Sequence, residues 1–198
     1  MHATLLSTQT TSADSRAALI AERAGAVLFV TVLTAIAAQV SVPLPFTPVP
    51  FTLQPMVVLV GAMALGARLG LTSQVLYLAL GIAGLPVFAA SPMLLPGAAR
   101  LIGPTGGYLM AMPVAAFVAG ALAERGFDRR YATAVLAMAL GLAIVFAGGV
   151  LWLGLFVQPA RGVTGALGAG LGPFIVADLL KLLAAAAVMP GLWRLTGR

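Results

Sequence analysis

Two ionisable residues, Asp178 and Lys181, interrupt an otherwise apolar segment, Gly172-Pro-Phe-Ile-Val-Ala-Asp-Leu-Leu-Lys181. Their spacing places them on one face of a helix, where they can pair. Each such charge costs roughly 2.5–3.5 kcal/mol near the centre of a membrane-spanning helix, so it needs an offsetting role. A carboxylate only accepts hydrogen bonds and an ammonium only donates them, so the two suit a neutral planar group such as a cyclic urea or amide. A structural ion pair is the alternative.

A second polar passage, Arg100-Leu-Ile-Gly-Pro-Thr-Gly-Gly-Tyr108, precedes another apolar run. Pro104 suits the first turn of a helix, and the glycines let a ligand approach backbone N–H groups. An anion or a polar ligand could bind at such a helix start. The alternatives are a closely packed helix start without a ligand, and an Arg100 that reaches the membrane interface.

The composition indicates that these residues work within a bilayer. Of the 198 residues, 61% are hydrophobic and 8% are charged, with mean hydropathy +1.08, whereas soluble domains have about 45–50% apolar and 25% charged residues. The net charge of +6 comes from arginines scattered between apolar runs, so membrane topology explains it better than a nucleic-acid partner does. The absence of cysteine excludes thiolate metal sites, and we predict no cofactor.

Six apolar runs predict an all-α integral membrane protein with six transmembrane helices, since a span needs about 20 residues. Between the first two runs lies the proline loop, residues 43–54, which contains four prolines within Pro-Leu-Pro-Phe-Thr-Pro-Val-Pro and cannot be helical. Because its unpaired backbone cannot face lipid, we expect a re-entrant outer loop that lines a cavity. A rigid turn between two helices is the alternative. The predicted helices span residues 24–42, 55–67, 70–85, 105–123, 132–157 and 173–188.

The basic residues predict the orientation. Eight of the eleven fall on one side if the N-terminus is cytoplasmic, which places both termini in the cytoplasm and the segments 43–54, 85–104 and 158–172 outside. The Ser/Thr-rich residues 1–15 are expected to form a disordered tail without a cleaved signal, and residues 16–198 a single domain. The eight are Arg16, Arg23, Arg68, Arg125, Arg129, Arg130, Arg194 and Arg198; Arg100 and Arg161 fall outside.

Three passages taken together resemble the BioY family, the biotin-binding S components of energy-coupling factor (ECF) transporters. They are Pro-Phe-Thr-Pro-Val-Pro-Phe-Thr-Leu-Gln (45–54), Gly-Pro-Thr-Gly-Gly-Tyr (103–108) and the segment 172–181. The resemblance covers nearly the whole chain after the tail. It implies a six-helix protein of the bacterial inner membrane that binds biotin from outside and docks on a transmembrane coupling subunit driven by two ABC ATPases. The chain has no Gly-x4-Gly-Lys-Ser/Thr phosphate loop, so it cannot supply hydrolysis itself.

By this resemblance, Asp178 and Lys181 carry over as ligand contacts, as do Arg100 and Tyr108. In the expected pose the ureido N–H groups donate to Asp178, the ureido oxygen accepts from Lys181, and the valerate carboxylate lies near Arg100. In the reverse pose Lys181 takes the carboxylate. The predicted substrate-binding residues are Asp178, Lys181, Arg100, Tyr108, Thr105, Gln54, Thr52 and Phe88.

Two mechanical roles also follow from the resemblance. A small-residue face of helix one is expected to pack on the coupling subunit, and Thr31/Ala35 and Thr34/Ala38 provide such pairs. Ordinary helix packing within the chain is the alternative. The proline loop is expected to act as an outer gate over the bound vitamin.

Other classes of function remain as alternatives. One is an S component for a different vitamin, and another is a passive channel, for which a buried Asp/Lys pair is a poor lining. An intramembrane enzyme is weakly supported, because no predicted span contains His or Cys and only one contains an acid. The resemblance thus implies a transporter subunit whose partners are biotin, the ECF subunits and membrane lipid, not nucleic acid.

Overall fold

The computed structural model describes residues 16–91, 94–157 and 162–195. The predicted tail, Arg161 and Arg198 lie outside these residues. The described chain contains nine α-helices, one π-helical turn and two short strands. They are α1 (Arg16–Gln39), β1 (Ser41–Val42), β2 (Phe51–Thr52), α2 (Gln54–Leu65), α3 (Ala67–Ile82), α4 (Ala99–Ile102), α5 (Gly106–Ala123), α6 (Tyr131–Trp152), the π-helical turn Leu153–Val157, α7 (Gly162–Gly170), α8 (Ile175–Ala186) and α9 (Val188–Leu195).

Four helical stretches are long and apolar enough to cross a membrane. They are Arg16–Gln39, Gly106–Ala123, Tyr131–Val157 and Ile175–Arg194. The two shorter helices α2 and α3 are apolar as well. Apart from the two-residue strands, the described residues are in helices, turns or loops. The chain is therefore an all-α integral membrane protein, as its composition predicts.

Each predicted apolar run coincides with a helix, but the ends differ in informative ways. Helix α1 begins at Arg16, not at residue 24, because the preceding Arg-Ala-Ala-Leu-Ile-Ala-Glu-Arg residues favour helix. The charges there mark the end of the apolar run and not the end of the helix. At its other end α1 stops at Gln39, and Ser41 and Val42 pair with Thr52 and Phe51 as antiparallel strands. This pairing closes the base of the proline loop.

Residues 158–172, for which the sequence predicts only an outer connection, contain helix α7 over Gly162–Gly170. Its glycines disfavour helix in isolation. Tertiary packing overrides that preference, because Ala166 is fully buried with Val150 and Leu153 of the preceding helical segment. The last predicted helix is also interrupted: α8 ends at Ala186 and α9 resumes at Val188.

Helix α5 forms the centre of the bundle and packs against α2, α3 and α6. The turn between α2 and α3 rests directly on it. Gly66 has a φ of 85°, which glycine adopts without strain, and a Cβ on Gly120 of α5 would lie 2.5 Å from the Gly66 carbonyl carbon. Glu124 Oε1 then accepts a hydrogen bond from Ala67 N at 2.9 Å, so α5 both supports and caps this turn.

Polar side chains join α1 to α3 inside the bundle. Thr31 Oγ1 donates to Ser73 O at 3.0 Å, and Gln74 Nε2 donates to Thr34 Oγ1 at 3.3 Å. Thr31, Thr34 and Ala38 are all buried within the chain. The prediction that they form an outward docking face on helix one is therefore wrong, and ordinary internal packing accounts for them.

Candidate functional site

A cavity with about 70 Å³ of interior space lies between the proline loop, the 85–104 connection, α5, α6 and α8. Its walls are mostly apolar, with a few polar groups. Seven of the eight predicted substrate-binding residues line it: Asp178, Arg100, Tyr108, Thr105, Gln54, Thr52 and Phe88.

Lys181 is the predicted residue that is not among the described lining residues. Its ammonium is instead held by three groups of the protein. It forms an ion pair with Asp178, donates from Nζ to Thr52 O at 2.8 Å, and lies 3.6 Å from the centroid of the Phe51 ring. Lys181 thus fastens α8 to β2, and a direct ligand contact would replace one of these interactions.

Arg100 is only 6% exposed and lines the cavity. Its Nε donates to Leu95 O at 2.8 Å and its Nη2 to Ala89 O at 3.1 Å. No carboxylate among the described residues pairs with it. Burial lowers the pKa of the guanidinium from its ordinary value, but a guanidinium stays charged in proteins. A buried cation without a counter-ion is costly, so this position favours an anionic ligand group.

Tyr108 and Thr105 lie at the start of α5, where the Gly-Pro-Thr-Gly-Gly passage places them. The Tyr108 hydroxyl donates to Gly170 O at 2.8 Å, and its ring meets Phe146 edge-on at 6.3 Å between centroids. Gly149 is required beside that ring, because a Cβ there would overlap it. Thr105 Oγ1 is buried without a hydrogen-bond partner among the described residues. It is therefore available to a ligand.

Gln54 and Phe88 enter the cavity from two different connections. Gln54 is 3% exposed, and its Nε2 donates to Met112 Sδ at 3.1 Å, which is a weak acceptor that an oxygen of a ligand could replace. The Phe88 ring packs edge-on against Tyr77 at 5.5 Å between centroids. Gln39 Nε2 holds this segment by donating to the carbonyls of Val87 and Phe88, a role that the sequence did not indicate.

Sequence reasoning missed the aromatic walls. Phe51 stacks on Phe174 with 6.4 Å between centroids and an angle of 9° between ring planes, and both line the cavity. Met112 and Phe146 complete an apolar surface. The sequence alone does not distinguish an apolar residue that faces lipid from one that faces a cavity. The available signal was that Phe51 and Phe174 lie inside two of the distinctive passages, 45–54 and 172–181.

The arrangement suits one ligand with two kinds of polar group. An ion-paired carboxylate on α8 can accept hydrogen bonds from a neutral head group. The uncompensated guanidinium of the 85–104 connection can bind an anionic tail. Apolar and aromatic walls between such groups bury the remainder of the ligand.

Comparison with known proteins gives concordant matches. The family model described as the BioY family matches residues 8–198. A probable biotin transporter BioY of Pyrococcus horikoshii is 42% identical over 82% of this chain and 88% of its own length, and the biotin transporter BioY of Thermotoga maritima is 40% identical over 80% and 88%. The crystal structure of the S-component for biotin from an ECF-type ABC transporter superposes with a TM-score of 0.78 at 26% identity, covering 92% of this chain and 95% of that one.

Proposed function

This chain belongs to the BioY family, and on that premise we propose that it takes up biotin as the substrate-binding S component of an ECF-type ABC transporter. Its relatives are named as transporters, which confirms the prediction of a transporter component rather than an enzyme. A biotin S-component is also a solved structure that this fold resembles. The ligand assigned here is therefore biotin itself.

The observation that carries the proposal is that charged residues face one cavity from two different elements. Asp178, already ion-paired with Lys181, faces the cavity from α8, and Arg100 faces it from the 85–104 connection without a carboxylate partner among the described residues. Biotin offers ureido N–H groups and a carbonyl at one end and a carboxylate at the other. We assign the ureido N–H groups to Asp178 and the carboxylate to Arg100.

The contacts of Lys181 favour this pose over the reverse one. Its charge is already balanced by Asp178, whereas Arg100 has no such balance among the described residues. A second carboxylate brought to Lys181 would also approach Asp178, and like charges repel at such distances. In the proposed pose the ureido oxygen accepts from Lys181, replacing its bond to Thr52 O. Tyr108, Thr105, Gln54, Thr52 and Phe88 surround the ligand.

We further assign six transmembrane helices to α1, α2, α3, α5, α6 and the interrupted α8–α9 stretch, all within one domain from residue 16 to 198. The short α2 and α3 cross together with their flanking turns. Both termini are cytoplasmic in a bacterial inner membrane, since Arg68, Arg125, Arg129 and Arg130 then fall on the inner side. The proline loop re-enters from outside and gates the site. Transport is driven by a coupling subunit and two ABC ATPases as partners.

Equilibrium binding of radiolabelled biotin to the purified protein in detergent tests the proposal. We expect tight binding by the wild type and a large loss in Asp178→Asn. Glu22→Gln is the matched control, because Glu22 is an exposed carboxylate at the start of α1. Size-exclusion profiles verify that each variant is folded. A folded wild-type protein that binds another vitamin and not biotin would reject the ligand and leave the fold standing.

A further inference from the structure

Helix α7 connects two parts of the site that do not share a strand or a helix. Its last two residues accept hydrogen bonds through their backbone carbonyls. Thr47 Oγ1 of the proline loop donates to Ala169 O at 2.6 Å, and the Tyr108 hydroxyl of α5 donates to Gly170 O at 2.8 Å. Carbonyls at the C-terminal end of a helix lack intrahelical partners. The loop and the cavity tyrosine are therefore fixed to adjacent groups of one helix end.

Thr47 has the contacts of a residue that positions others. It is buried, and it is not among the described residues that line the cavity. Its hydroxyl acts both as a donor, to Ala169 O, and as an acceptor, from Val49 N at 3.2 Å. Val49 does line the cavity. Thr47 thus joins the end of α7 to the segment of the loop that faces the ligand.

We propose that Thr47 is a positioning residue that couples the proline loop to α7, so that the loop and Tyr108 are held through the same helix end and release of the ligand requires this coupling to break. The inference rests on the proposed function in that the retained ligand is biotin. The coupling itself is a property of the ligand-free chain. Loss of the Thr47 hydroxyl then affects α7, and loss of the Tyr108 hydroxyl affects the loop.

Amide hydrogen exchange of the full-length protein in detergent tests the coupling without any ligand. Thr47→Val keeps the shape and removes the hydroxyl, whereas Thr47→Ser keeps the hydroxyl. We expect amides of residues 162–170 to exchange about fivefold faster in Thr47→Val, the effect of one net hydrogen bond, and at the wild-type rate in Thr47→Ser. Tyr108→Phe approaches from the other end and should accelerate exchange in residues 43–50. An unchanged exchange rate of the α7 amides in Thr47→Val overturns the proposal. So does a rate in Thr47→Ser that is raised as much as in Thr47→Val.

Biotin dissociation provides the functional measurement. We expect Thr47→Val to release radiolabelled biotin about fivefold faster, with an unchanged association rate, and Thr47→Ser to match the wild type. A valine variant that exchanges faster at α7 but releases biotin at the wild-type rate overturns the link to retention. A wild-type protein that does not bind biotin rejects the proposed ligand, and the exchange result then decides the coupling by itself.

Discussion

Replacing Arg100 with glutamine separates the role of its charge from its role in holding the 85–104 connection. Glutamine keeps a hydrogen-bond donor and removes the cation. The guanidinium is almost fully buried, and a hydrogen bond to a charged group contributes about 1.5–3 kcal/mol. At 1.4 kcal/mol per tenfold change, the affinity for biotin should fall about 10- to 150-fold.

Part of any loss will be structural, because Arg100 also donates to Leu95 O and Ala89 O. That part affects a charged and a neutral ligand equally. The assay is therefore equilibrium binding of both biotin and its primary amide to the wild type and to Arg100→Gln. The wild type should bind biotin about 10- to 150-fold more tightly than the amide. The variant should bind the two ligands equally weakly.

Arg68→Gln is the control, since Arg68 is an exposed arginine at the α2–α3 turn, and we expect no change in either affinity. Wild-type protein that binds the amide as tightly as biotin refutes the assignment of the carboxylate to Arg100. Equal losses for both ligands in Arg100→Gln, with the preference for biotin retained, would assign the arginine a purely structural role. If Lys181→Met and not Arg100→Gln abolishes the preference, the reverse pose is correct.

Three further substitutions follow from individual contacts. Thr105→Val should lower biotin affinity about fivefold without lowering the unfolding temperature, because the hydroxyl has no partner among the described residues; an unchanged affinity would exclude a ligand contact. Gly120→Ala should destabilise the protein by about 1–3 kcal/mol in thermal unfolding, because its Cβ would overlap the Gly66 backbone, whereas Gly25→Ala, with open space around it, should not; equal unfolding temperatures would contradict this packing. Lys181→Gln should accelerate biotin dissociation, because the ureido oxygen loses the charged donor that it accepts from in the proposed pose; an unchanged rate with weaker association would make Lys181 a contact for entry only.

The location of the candidate site could be predicted because polar residues are conspicuous in a chain that is 61% hydrophobic. Asp178, Arg100 and Thr105 stand out for that reason, and the structure places them around one cavity. Burial of a charge within a membrane has a cost that only a partner or a ligand offsets. Composition and charge in a single sequence are therefore enough to identify these residues as candidates.

The position of Lys181 could not be predicted in the same way. Spacing indicates that it can pair with Asp178, and the structure bears this out. Whether the ammonium then points at the ligand or at the loop depends on where Thr52 O and Phe51 lie, and these belong to a segment 129 residues earlier in the sequence. Side-chain periodicity within one helix contains no information about such a contact.

Helix α7 was missed because its sequence, Gly-Val-Thr-Gly-Ala-Leu-Gly-Ala-Gly, has the composition of a loop. Its helical conformation depends on packing against the end of α6 and on partners for its terminal carbonyls. Those partners, Thr47 and Tyr108, come from two other parts of the chain. A helix of this kind is a product of the tertiary structure, and local propensity argues against it.

Lys181 is the single lysine of the sequence, so the ion-paired ammonium behind the cavity is also the one side-chain primary amine in the protein. Acylating reagents that attack unprotonated amines can modify this side chain and the terminal amine and no other amine. Its ammonium is occupied by contacts with Asp178, Thr52 and Phe51, so a reagent reaches it only when these contacts open. The fraction of protein that is acylated at Lys181, measured by mass spectrometry, thus reports how often the contacts between α8 and β2 open. This measurement needs no engineered label.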